Sequence, residues 1–321
     1  MAFFVFFVFS VVKLAWWGNG RCGHKERREH KEGDVATGNA ENTKKETEGI
    51  VMKLTVHPDA HSFLAESEAD LLLREPEASL IYGLANGARM NPAAAPDGLH
   101  LATVWNGEQL VVAALTGGHN LIVYSGVDEP MAALQLVAED LLARGWQLPG
   151  VNGPVALSAA FAEIWQRLTG CTCSPGIAMR AFALYAVTPP PPTPGDFRLA
   201  ARSDLDLVHA WCMAFYDEAL HGEAGPPRER IEQSILAGDY YLWWHEGAPV
   251  AMAVTNRRTP HGISIGSVYT PPALRTRGYA SACVARSASI CLMPAGPSAP
   301  SLQTWQTRRR TASIRRLATG R

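Results

Sequence analysis

The chain has 321 residues, of which 47% are apolar and 18% charged, with a formal net charge of −1. That length accommodates two domains, each with enough apolar material for a core, and the balanced charge excludes a protein that coats nucleic acid or acidic membrane through bulk electrostatics. Six cysteines, none in a Cys-x-x-Cys pair, are too sparse for a disulfide scaffold and lack the ligand spacing of a structural zinc site.

Residues 2–17 form an apolar run interrupted by Lys13. The run is shorter than the roughly 20 apolar residues of a bilayer-spanning helix, and it lacks the flanks of a secretory signal. Residues 21–48 are dense in Lys, Arg, Glu and His, a composition that cannot offset the entropy of ordering. Residues 1–51 are therefore expected to be a disordered or mis-annotated extension, with Met52 as the true start. A weak membrane anchor is the alternative, and a cytoplasmic location is the expectation.

Residues 52–187 read as an α+β domain. Apolar runs at 101–104, 110–116 and 120–125, separated by Asn106-Gly107 and Gly117-Gly118, suggest consecutive antiparallel strands. Residues 131–144 and 159–168 carry helical spacing and stop before glycines, and residues 180–187 read as a strand. No cluster of catalytic residue types stands out, since His57, His61, His100 and His119 are scattered. Residues 188–195, Thr-Pro-Pro-Pro-Pro-Thr-Pro-Gly, read as a semi-rigid linker.

The segment 196–286 has the order strand, two helices, three strands, then a glycine-bearing turn into a helix. Strands are expected at 197–202, 240–245, 248–255 and 262–269, and helices at 204–219 and 228–235, with Ser203 as a candidate N-cap. After the last of these strands come Pro271-Pro272, then Arg275-Thr276-Arg277-Gly278-Tyr279-Ala280 opening a helix. Gly278 lets backbone approach a ligand closely. Successive N–H groups at a helix start suit a phosphate, and Arg275 and Arg277 add positive charge. Neither a Walker loop nor a Gly-x-Gly-x-x-Gly dinucleotide loop occurs.

This stretch resembles the acyl-CoA-binding motif of the GNAT superfamily of N-acetyltransferases, Arg/Gln-x-x-Gly-x-Gly/Ala, here Arg275-x-x-Gly278-x-Ala280 preceded by Val268-Tyr269-Thr270-Pro271. The resemblance implies a GNAT-like mixed sheet with flanking helices over 196–286, with the first half as a degenerate copy of the same fold. It implies acetyl-CoA as co-substrate and no metal. Arg275, Thr276, Arg277, Gly278, Tyr279 and Ala280 would hold the pyrophosphate, and Val268, Tyr269 and Thr270, in the strand end from Ser267, would pair with the pantetheine arm. The acceptor would be an amine-bearing small molecule or peptide, attacking the thioester directly with a base to take its proton. Candidate bases are Glu218, Asp217 and His221, of which Glu218 is the choice. A non-catalytic acyl-CoA-binding or interaction module is the alternative.

Residues 287–321 break the pattern: they hold no acidic residue, and six arginines lie from Arg308 onward. Reading each codon from the third base of one residue into the next forces an alanine at Trp305–Gln306 and permits only Asp or Asn at Gln303–Thr304 and Gln306–Thr307. The restored frame accommodates a strand, an Asn-Pro turn and a helix with a tyrosine, as the resemblance expects. The segment is read as an out-of-frame tail, leaving the second domain incomplete and acetyl transfer impaired.

Overall fold

The computed structural model describes residues 3–6, 10–15, 52–96, 98–178, 182–220 and 225–292. Two mixed sheets organise it. The first half contributes strand β3 (Met52–His57), helices α1 (Ala60–Leu73) and α2 (Glu75–Met90), strands β4 (His100–Asn106), β5 (Gln109–Thr116) and β6 (Leu121–Ser125), helix α3 (Met131–Ala143), strand β7 (Gly150–Gly153), helix α4 (Val155–Thr169) and strand β8 (Thr172–Ala178). Two N-terminal strands precede them, β1 (Phe3–Phe6) and β2 (Ser10–Ala15), and β9 (Phe182–Leu184) follows. The second half holds β10 (Asp196–Leu199), α5 (Leu205–Leu220), α6 (Arg228–Leu236), β11 (Tyr240–His245), β12 (Ala248–Asn256), β13 (Gly262–Tyr269) and α7 (Tyr279–Leu292).

The sheets run β3-β4-β5-β6-β7-β2-β8 and β10-β11-β12-β13-β1-β9. Each begins with four antiparallel strands, places a parallel strand fifth and an antiparallel one sixth. Each also has two helices between its first and second strands and one helix after its fourth. The first four strands and three helices of the two halves therefore follow the same order, while the fifth strand follows α3 in the first sheet and comes from residues 3–6 in the second.

Strands buried on both faces explain the continuous apolar runs. In the first sheet Leu101, Ala113 and Leu115 face α1 and α2, while Ala102, Val104, Val112 and Ala114 face α3 and α4. In the second, Tyr240, Leu242, Met252 and Val254 pack against α5 and α6, and Tyr241, Ala251 and Ala253 against α7. The period of two sorts each strand between two cores.

Several expectations change. In place of an unordered extension, Phe3–Phe6 and Ser10–Ala15 join the sheets: β1 pairs with β13 and β9, and β2 with β7 and β8. Phe and Val have high strand propensity, and main-chain pairing on both sides places each strand between two neighbours of its sheet. The expected strand at 180–187 is the shorter β9, which belongs to the second sheet rather than the first half. Helices α1 and α2 and strand β7 had no assigned counterpart. Ser203 is no N-cap. It lies in a single 3-10 turn, where Asp204 accepts from the Ala201 N–H at 2.7 Å and from Arg198 at 2.7 and 2.8 Å. Helix α7 runs six residues past Arg286, with Ser287 and Ala288 buried. Residues 293–321 lie outside the described residues, as do 16–51.

The halves dock through α2. Buried Glu75 accepts from the backbone N–H of His261 at 2.9 Å and meets its Nδ1 at 2.8 Å. Gly83 lets the β12–β13 loop approach: a Cβ there would stand 2.6 Å from Arg257 Cβ and 3.1 Å from Arg257 Cα. Burial pulls the Arg257 guanidinium down to about 10.

Two buried histidines make stability pH-dependent. Burial lowers the pKa of His57 and His100 below the usual 6.5, partly offset by Glu66 and Asp140. The unfolded chain then binds more protons than the folded one just below that value, so the stability present above 6.5 is lost as the pH falls. Denaturant midpoints should drop between about pH 7 and about pH 5, and the slope should flatten in a His57→Gln/His100→Gln double variant. An unchanged slope would contradict this account.

Candidate functional site

Strand β13 changes character along its length. Val254 pairs with Gly266 and Met252 with Tyr269, so three steps on β13 oppose two on β12. Ser267 takes up the extra residue at φ +45. Such a bulge withdraws backbone groups from the ladder and is common beside binding sites. On the other edge β1 reaches only Gly262, Ile263 and Ser264. Beyond Ser264 no residue partner on that edge is found among the described residues, an arrangement that suits pairing with an extended ligand. Thr270 follows, its hydroxyl shielded from solvent with no hydrogen-bond partner.

Pro271 and the short turn Pro272–Leu274 end the ladder, because proline has no N–H to donate. The loop then uses two left-handed residues, Thr276 at φ +65 and Gly278 at φ +85, before α7 begins at Tyr279. The first N–H groups of α7 have no acceptor within the helix, and the helix dipole adds partial positive charge there. Thr276, Arg277 and Gly278 are exposed. Tyr279 is instead a core anchor, 4% exposed and 5.5 Å from the His245 ring. Val268 packs in the core beneath, and Ala280 is half-buried.

The proline-rich segment is not a free spacer. Trp243 Nε1 donates to Pro194 O at 3.0 Å, and a Cβ on Gly278 would stand 2.9 Å from Thr193 Oγ1. Consecutive prolines hold an extended chain against the loop. Sequence reading missed this contact, because nothing local to Thr193 marks it.

Glu218, near the end of α5, is brought to this loop. Arg275 Nη2 donates to Glu218 Oε2 at 2.5 Å and its Nε to Thr270 O at 2.9 Å. Tyr269 donates its O–H to Glu218 Oε1 at 3.2 Å, and the guanidinium lies 5.8 Å from the Tyr269 ring centre. Trp211 packs against the same ring at 6.0 Å. The Arg275 hydrogen bond holds the Glu218 carboxyl below the usual carboxylate range. Asp217 is exposed, and His221 lies outside the described residues.

The first half offers no second copy of the loop. Between β6 and α3 stand Gly126, Val127, Asp128, Glu129 and Pro130, acidic where the second half is basic. Its histidines gather more than their spacing suggests: His57 and His100 line one open cleft with Arg144 and Trp146. His57 Nε2 also lies 2.9 Å from Thr103 Oγ1, which donates to Glu66 at 3.2 Å. Both histidines are only 5% exposed, so these contacts serve the core. Among the described residues no group of three or more His, Cys, Asp or Glu could hold a metal ion, and no helix is long and apolar enough to cross a membrane.

No protein-family model and no curated protein matches the chain. Among solved structures, an acetyltransferase from the GNAT family of Colwellia psychrerythraea is similar at 11% identity and TM-score 0.37, covering 74% of this chain and 85% of that one. Rv2747 from Mycobacterium tuberculosis, in complex with CoA and NLQ, is similar at 16% identity and TM-score 0.25. That match covers 30% of this chain and spans 57% of the other. Likenesses this slight carry no weight for what the chain does.

Proposed function

We propose that the second half binds acyl-CoA and transfers its acetyl group to an amine. The observation that carries this reading is the bulged, half-open end of β13 leading directly into the left-handed loop at the start of α7. An extended amide-bearing arm would pair with that edge beyond Ser264. A pyrophosphate would meet the N–H groups around Gly278 and the exposed Arg277, whose Nη2 otherwise makes only a 3.4 Å contact to Ala273 O. Val268, Tyr269 and Thr270 are the strand part of this site, and Arg275, Thr276, Arg277, Gly278, Tyr279 and Ala280 its loop, with Tyr279 acting from the core.

The chemistry is attack of a neutral amine nitrogen on the thioester carbonyl, forming the C–N bond, breaking C–S and releasing a thiolate. Backbone N–H groups freed by the bulge would stabilise the developing oxyanion. A base must take the ammonium proton. Glu218 is a carboxylate that meets the loop, but both its oxygens already accept hydrogen bonds and its pKa is lowered. That engagement favours a second reading, binding without turnover, in which Glu218 has another role.

Titration of the full chain with acetyl-CoA in a calorimeter, followed by thiol release over a panel of amines, separates these readings. We expect binding to the chain as it stands and faster turnover once the frame after Ser287 is restored. Absence of acetyl-CoA binding would overturn the acyl-CoA reading. Binding with no turnover in the restored chain would leave the binding module.

A further inference from the structure

The arginine that leads the loop does not point freely at an incoming phosphate. Arg275 is folded back, its Nε on Thr270 O at 2.9 Å, its Nη2 on Glu218 at 2.5 Å and its plane near the Tyr269 ring. Among the described residues Glu218 is the carboxylate paired with this guanidinium, and the two side chains are 44% and 40% exposed.

We propose that Glu218 is a built-in competitor for Arg275, a carboxylate that occupies the guanidinium until the phosphates of acyl-CoA displace it. This rests on the acyl-CoA reading of the loop and assigns Glu218 a regulatory role there in place of proton abstraction. A guanidinium presents the same paired N–H geometry to a carboxylate and to a phosphate, so one anion can replace the other without moving the backbone. The exchange is easy because the pair is half exposed and screened by water, where ion pairs are weak. Tyr269 steadies the arrangement, since its hydroxyl stays on Glu218 Oε1 while Arg275 leaves Oε2. The like charge of Glu218 beside a polyanion also opposes binding, so the carboxylate holds donor affinity below what the loop alone could reach.

The test is donor affinity rather than activity. Glu218→Gln keeps the shape and the hydrogen bond from Tyr269 but removes the charge that competes for Arg275. On the full chain, with folding checked by circular dichroism, it should bind acetyl-CoA roughly three- to tenfold more tightly than the parent at low salt, with the gain shrinking as salt rises. S-acetylpantetheine, which lacks the pyrophosphate and the nucleotide, should bind parent and variant alike. In an Arg275→Gln background, Glu218→Gln should recover less than it gives alone. Unchanged or weaker acetyl-CoA binding by Glu218→Gln, or an equal gain with S-acetylpantetheine, would overturn the competitor role while leaving the acyl-CoA reading intact. Failure of the parent chain and every variant to bind acetyl-CoA would overturn both.

Discussion

Replacing Gly278 by alanine should weaken acetyl-CoA binding by roughly five- to thirtyfold, the equivalent of the 1–2 kcal/mol that a left-handed backbone costs an L-residue. Gly278 sits at φ +85, and the added Cβ would stand 2.9 Å from Thr193 Oγ1. An alanine has two escapes. It can hold the conformation with strain, or it can relax to negative φ and swing the flanking N–H groups off the phosphate. Both reduce affinity. The two contributions can be separated by adding Thr193→Ala, which removes the hydroxyl. It should recover only the steric share, because the backbone strain does not depend on Thr193. Calorimetric titration of the single and double variants measures this. Parent-like affinity in Gly278→Ala would mean that the loop does not hold the ligand in this conformation.

Truncating Trp165 to alanine should destabilise the first half by about 3–5 kcal/mol, the range for a large aromatic lost from a core. Trp165, on α4, is fully buried and stacks on Phe161 with centroids 5.9 Å apart and planes 17° apart. Leu134, Val137 and Leu141 of α3 belong to the same cluster, and their contacts would end at a cavity. A melting temperature lower by on the order of 10 °C should follow, read by circular dichroism. The docking of the halves runs through α2, whose Glu75, Gly83 and Asn86 meet the β12–β13 loop, whereas Trp165 packs in the core around α3. Acetyl-CoA binding by the folded variant should therefore stay near the parent value. A large loss of binding at temperatures where the variant is folded would show that the core around Trp165 shapes the second half directly.

Local patterns carried much of the second half. The strands Tyr240–His245 and Gly262–Tyr269 and the helix Arg228–Leu236 stand within a residue of the spans 240–245, 262–269 and 228–235 that the sequence pattern marks, with Pro271-Pro272 ending the last strand. Helix Met131–Ala143 was equally legible, because Gly145 marks its end. Helix α1 was not. Its buried residues Ala60, Phe63, Leu64, Ser67 and Leu71 include a serine, which spoils the stripe although its hydroxyl simply donates to Phe63 O at 2.7 Å. Helix α2 buries Glu75, Ser79 and Gly83, residues that read as surface until the other half is placed against them. The N-terminal strands were missed for a different reason. The continuous apolar run at 2–17 shows no period that would divide it into two strands, and the partners Gly262–Ser264 and Gly150–Gly153 are more than a hundred residues away.

The sequence by itself determined the strand-rich halves, the proline break and the glycine-bearing turn into α7, because each rests on side-chain period or on backbone limits of Gly and Pro that act within a few residues. Only the tertiary structure decided that β1 and β9 complete the second sheet, that Thr193 lies against Gly278, and that Glu218 holds Arg275. Those are meetings of groups far apart in the chain. Hydrogen bonds and charge pairs between them depend on distances of 2.5 to 3.2 Å, as at Glu218, that no local pattern encodes.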